Sequence, residues 1–275
     1  MSKPTFNHPN YSLVNCDKVE RNAGAPPMTR TEDGEVMQEL ARYVEAKISS
    51  DFGFTSIQIP EEEDPSTSIL VSPEWHASRK LLIIIQNAYG SQLGIFSRTL
   101  CMDDGISQGT WLPYIDRALK AGYAVMILRP NTNSAMVEQD GQSAQKVPIK
   151  GSESPEIHVL NVWTNVIPKA ESVDHIVLLS YGNGATLCKD LFLREMVDRG
   201  AESNRIKGFL TIEASHIIEK DDAGDIRDAL GRIAVNMESN AAQAGYLLAY
   251  RKESLGCTCL SLGLPKGGVE NVAYS

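Results

Sequence analysis

HIVLLSYGNGATLCKDLF, residues 175–192, carries most of what the chain says about its architecture. HIVLLS (175–180) is an almost unbroken apolar run of strand length, the pattern of a strand buried on both faces of a parallel sheet. Gly182 and Gly184 then permit a tight turn, and GATLCKDLFLREMVDRG (184–200) continues as a helix. Working outward, KLLIIIQN (80–87) and AVMILRPN (124–131) read as buried strands of the same kind. TWLPYIDRALKAGY lies between them and forms a helix through Leu112, Ile115 and Leu119, so the three segments make a βαβ unit. EIHVLNVWTNVI (156–167) is a further helix ahead of the quoted stretch. On the C-terminal side come the strand GFLTIE (208–213), the amphipathic helix DIRDALGRIAV and the strand CTCLSLG (257–263). At least five strands alternating with helices predict one α/β domain built on a doubly wound, mainly parallel sheet.

The flanks are less regular. Residues 1–36 are polar and read as an N-terminal loop segment, with the domain itself running from 37 to 275. VMQELARYVEAKI places Met37, Leu40, Ala41, Val44 and Ile48 at helical spacing. FTSIQIP and the acidic loop EEEDPSTS follow before the core begins at Lys80. Residues 132–154 are rich in Ser, Gln and Gly and lack periodicity, which predicts a flexible surface insertion dispensable for folding.

The net charge is −9 at a pI near 5.1. A protein that neutralises phosphates over its surface is expected to be basic, so direct nucleic-acid binding is disfavoured. The five cysteines are odd in number and scattered. Cys257 and Cys259 are two apart, which is the wrong spacing for a zinc CxxC pair and reads as small buried hydrophobes. No metal or cofactor is called for, and a reducing compartment is expected. LLIII (81–85) is too short to cross a bilayer, and the N-terminus has no apolar core of a secretory signal, so a nuclear or cytoplasmic protein is expected.

LLSYGNG (178–184) also has the look of a nucleophile elbow, a strand-to-helix turn that presents a serine between small residues. Ser180 is then the candidate nucleophile, with Gly182 and Gly184 relieving crowding and Leu178 standing where glycine is usual. The other reading is an ordinary βα turn whose glycines merely allow tight packing. An oxyanion pocket could come from Asn87, Tyr89 and Gly90 after the first core strand, together with Tyr181. Of the five histidines, only His216 follows the strand beside the elbow, and Glu213 precedes it by three residues. No histidine occurs after position 216, where a late general base is expected.

GTWLPYIDRALKAGYAVMILRPNTN, EIHVLNVWTNVI, LLSYGNG and LTIEASH occur in this order and resemble the Arb2-like (Argonaute-binding-protein-two) domain family. That family includes metazoan cotranscriptional regulators and the C-terminal domain of some class II histone deacetylases. By position, the resemblance matches Ser180, Glu213 and His216 to the family's serine, acid and histidine, as vestigial members of a catalytic set. Asn87 stands for a histidine, Asn183 for a glycine, and LPKGGVEN for a late histidine. The resemblance implies an α/β-hydrolase-like scaffold that contacts protein partners in a multi-subunit complex, silencing or histone deacetylase machinery included. Two other readings stay open: a serine esterase or peptidase using Ser180, and a small-molecule sensor. Loss of one member of a catalytic triad costs several thousand-fold or more in rate. Ser180 is therefore expected to be accessible but not a working nucleophile.

Overall fold

A computed structural model describes residues 3–27, 29–86, 92–138, 143–200, 204–214, 217–249 and 257–264. A small hairpin of β1 (Tyr11–Val14) and β2 (Lys18–Arg21) opens the chain. Helix α1 (Arg30–Phe52) follows, so the expected loop over 1–36 is corrected at both of these places. The helix starts ahead of its apolar stripe because Thr29 and Glu32 form a capping box. The Thr29 hydroxyl accepts from the Glu32 amide at 3.1 Å, and Glu32 Oε2 accepts from the Thr29 amide at 3.4 Å.

The antiparallel pair β3 (Thr55–Ile59) and β4 (Thr67–Val71) forms one margin of the main sheet. β5 (Lys80–Ile85) leads to the short helices α2 (Arg98–Asp103) and α3 (Ile106–Gly109), then α4 (Leu112–Lys120) and β6 (Ala124–Ile127). β7 (Ser134–Val137) and β8 (Gln145–Pro148) pair as a separate antiparallel hairpin. The described residues of 132–154 therefore include a regular hairpin where a flexible insertion was expected. Ladder hydrogen bonds hold a ribbon whose side chains are exposed or half-buried, so no apolar periodicity is needed. Its C-terminal end is anchored by the fully buried Ile149 and Ser152.

α5 (Pro155–Asn161) runs on through a π-helical turn, Val162–Val166, and β9 (His175–Tyr181) and α6 (Gly184–Arg199) follow. β10 (Ile206–Ile212), α7 (Gly224–Ile233), β11 (Ala234–Ser239) and β12 (Thr258–Gly263) complete the described chain. The eight-stranded sheet has the order β12-β11-β10-β9-β5-β6-β4-β3. From β6 to β12 neighbouring strands are parallel, while β4 is antiparallel to both β3 and β6. This is an α/β-hydrolase-like sheet, as expected.

Two apolar layers sandwich it. Leu40, Val44 and Ile48 of α1 and Ile115 of α4 cover one face. Val159 of α5, Leu187, Leu191 and Phe192 of α6 and Leu230 of α7 cover the other. β3, β4 and β11 were not read as strands from sequence, and the helix expected to run through Ala234 and Val235 stops at Ile233. The helix α7 passes into β11 at Ala234 with no intervening loop, so neither glycine nor proline marks the change of period.

Candidate functional site

The turn after β9 decides what the scaffold can do. Ser180 lies within the strand, in register with Ile85 of β5 on one side and Thr211 of β10 on the other. Its exposure is 0% and its hydroxyl makes no hydrogen bond. Its polar company is the Cys188 thiol on α6, in a contact short of hydrogen-bond geometry. Burial pushes that thiol up to about 12, an effect that Ser180 partly opposes. The expectation of an accessible Ser180 is therefore corrected. Successive residues of a strand point to opposite faces, so Ser180 lies under α6 while Tyr181 joins the other layer.

The turn itself passes through Gly182. Its φ is +52°, in the left-handed region, and its amide donates to the Ile212 carbonyl at 2.8 Å. Gly184 opens α6 against the end of β5. A Cβ there would stand 2.7 Å from the Gln86 carbonyl oxygen and 2.8 Å from that of Ile85. An elbow needs small residues two before and two after its apex. With Gly182 as apex those positions are Ser180 and Gly184, and Leu178 no longer breaks the pattern. The strained position that would present a nucleophile has no side chain.

Tyr181 faces a cavity of about 490 Å³ off the C-terminal ends of β9 to β12. Ligands of open α/β sheets bind outside these strand ends. Phe96, Tyr114 and Tyr181 line it together with Asp104, Glu213 and Ser239. The Phe96 ring lies 5.6 Å from Tyr181 and 6.1 Å from Tyr114, centroid to centroid, and 4.7 Å from the buried Trp111. Burial raises the Tyr114 hydroxyl above its ordinary pKa, and Arg117 opposes the shift. Glu213 adopts φ +53°, unusual for a side chain of its size, and its Oε1 accepts from the Ser239 amide at 2.6 Å. Leu262 and Leu264 form an apolar rim.

Of the residues singled out in the sequence, Tyr181 and Glu213 meet at this cavity, Gly182 and Gly184 shape the turn, and Ser180 lies outside it. Asn87, Tyr89, Gly90 and His216 fall outside the described residues. Phe96, Asp104, Tyr114 and Ser239 were not found from sequence. They come from the two flanks of α2, from α4 and from the end of β11, and no motif links them. Among the described residues no group of three or more His, Cys, Asp or Glu could hold a metal ion. The cysteines described are free, and all but Cys16 are buried.

Two buried polar clusters brace the surroundings. His158 is fully buried, accepts the Arg129 amide at Nε2 (3.2 Å) and places Nδ1 3.0 Å from the Ser152 hydroxyl. Ser152 donates onward to the Thr132 carbonyl at 2.8 Å, so the ring is neutral with its proton on Nδ1. Burial, aided by Arg129, pulls its pKa down to about 4. Asn236 accepts from Thr211 Oγ1 at 2.8 Å and donates to the Ala214 carbonyl and to Glu238, which pins β11 to the segment carrying Glu213.

The Arb2 domain model matches residues 30–232. The chain belongs to the Arb2 domain family. A cotranscriptional regulator ARB2A homolog of Xenopus tropicalis is 23% identical over 233 residues, covering 67% of this chain and 54% of that protein. The mouse cotranscriptional regulator ARB2A is 30% identical over 120 residues, 42% of this chain and 29% of that one. The chain thus matches about half or less of the length of these relatives. A solved structure described as a histone deacetylase from Saccharomyces cerevisiae superposes with a TM-score of 0.51 at 13% identity, covering 87% of this chain and 92% of that one. That likeness concerns the fold. No helix among the described residues is long and apolar enough to cross a membrane.

Proposed function

We propose that this Arb2 domain is a non-catalytic, α/β-hydrolase-like interaction module that docks protein partners within a nuclear RNA-processing or gene-silencing complex. The observation that carries the reading is the glycine at the apex of the turn. A hydroxyl becomes a nucleophile only when a base can take its proton and the substrate can reach it. Ser180 is enclosed between β5, β10 and α6, and the apex offers nothing in its place. The cotranscriptional-regulator names of its relatives support a nuclear setting, and histone deacetylase machinery is one partner class that the yeast structure brings forward. The −9 charge supports contacts with protein over contacts with nucleic-acid phosphates.

The reading is tested with a fluorophosphonate probe and a panel of short-chain esters. Purified protein is expected to remain unlabelled and to hydrolyse no ester above background. Labelling at Ser180 that is lost in both Ser180→Ala and His216→Ala would favour a serine hydrolase instead. Affinity purification from native cells, read by mass spectrometry, is expected to return a defined set of nuclear proteins. Recovery of cytoplasmic partners alone would overturn the nuclear assignment.

A further inference from the structure

The cavity at the strand ends is furnished unevenly. Its described lining includes two carboxylates, Asp104 and Glu213, and no lysine, arginine or histidine. Elsewhere several half-buried and buried acids meet cations, Glu32 with Arg21, Glu45 with Arg129, Glu195 with Arg205 and Asp222 with Lys189, while Asp17 and Glu238 accept from the Ser107 amide and the Asn236 side chain. Asp104 and Glu213 have no cationic partner among the described residues. Glu213 engages one oxygen with the Ser239 amide, and its Oε2 has no hydrogen-bond partner among the described residues. Both side chains are only partly exposed, beside a wall of three aromatic rings.

We propose that this cavity binds an alkylammonium group, presented either by a small free amine or by a lysine side chain, methylated or not, of a partner. The proposal rests on reading the cavity as a binding site and not a hydrolytic one. An ammonium neutralises the two carboxylates, and its alkyl groups lie against ring faces whose negative quadrupoles attract a cation. A volume of about 490 Å³ is in the range of small-ligand sites. An anionic ligand would meet two like charges with no described cation to offset them. A neutral apolar ligand would strip water from both carboxylates and return nothing.

The test is calorimetric titration of the full chain with choline, with its uncharged carbon isostere 3,3-dimethylbutanol, and with an N-acetyl trimethyllysine amide. At least one ammonium is expected to bind, with the isostere about tenfold weaker or worse. The tighter of the two ammonium ligands identifies the source, a free amine or a protein-borne lysine. Glu213→Gln and Asp104→Asn are each expected to weaken binding about tenfold at unchanged Tm. Asp104 sits at the half-exposed end of α2, so its variant keeps the test informative if the change at Glu213 disturbs folding. Equal binding of the isostere, or no ammonium binding at millimolar concentration, would overturn the proposal. Turnover of a choline ester would instead sink the non-catalytic reading and leave the ligand class standing.

Discussion

Ser180 and Tyr181 are neighbours in one strand and live in different parts of the molecule. Ser180 belongs to the closed side, where α5, α6 and α7 pack onto the sheet and leave no route to its hydroxyl. Tyr181 belongs to the open side, where α2 and α4 leave a cavity above the strand ends. The turn between β9 and α6 keeps the shape of an elbow, yet the chemistry-bearing groups have collected on the side the serine does not face. The geometry of a catalytic scaffold and its chemistry are therefore separable, and one change of strand face is enough to separate them.

Both sides of this contrast can be challenged by mutation. The largest effect is expected where the closed side is tightest. Gly184→Ala would drive a methyl group into the backbone carbonyls of Ile85 and Gln86, neither of which can swing aside. A loss of about 3 kcal/mol is expected, read as a lower urea midpoint. Tolerance of alanine would mean that α6 does not press on β5 as described.

Acid should loosen the same side by a comparable amount. His158 has a pKa of about 4 in the folded protein, below the value near 6.5 of an unfolded histidine. The unfolded chain binds the proton first as pH falls. His158 therefore contributes its full stability above about pH 6.5, loses it on the way down to about pH 4, and the loss reaches about 3 kcal/mol. In His158→Gln that portion of the pH dependence should disappear from the unfolding free energy. An unchanged slope would show that the ring is solvated.

Smaller effects are expected at the turn and at the serine. Gly182→Ala places a side chain at φ +52° and is expected to cost about 1–2 kcal/mol. Ser180→Ala removes a buried hydroxyl without a hydrogen bond, so stability should stay within about 1 kcal/mol and move upward if at all. Partner recovery should be unaffected. A clear loss of stability would mean that the hydroxyl has a strong partner.

The sheet was legible in the sequence because continuous apolar runs such as KLLIII and HIVLLS can be little else. The short and junctional elements were not. β4 begins with Thr67 and Ser68, which extend the acidic loop in composition, and β11 grows directly from α7. At the site, the glycines of the turn were readable but the identity of its apex was not. SYGNG permits two registers, one centred on Ser180 and one on Gly182, and only the backbone angle separates them. The cavity was the least visible feature, because Phe96, Asp104 and Tyr114 come together only when α2 and α4 fold over the strand ends.

The most direct test exploits the register itself. In a Cys16→Ser background, which removes the exposed native thiol, Ser180→Cys and Gly182→Cys are compared for their rate of maleimide modification in the native state. Position 182 is partly exposed and position 180 fully buried. Fast modification is expected for Gly182→Cys, and modification of Ser180→Cys only after unfolding. Rapid native-state labelling of Ser180→Cys with protection of Gly182→Cys would put the serine at the apex and contradict the account.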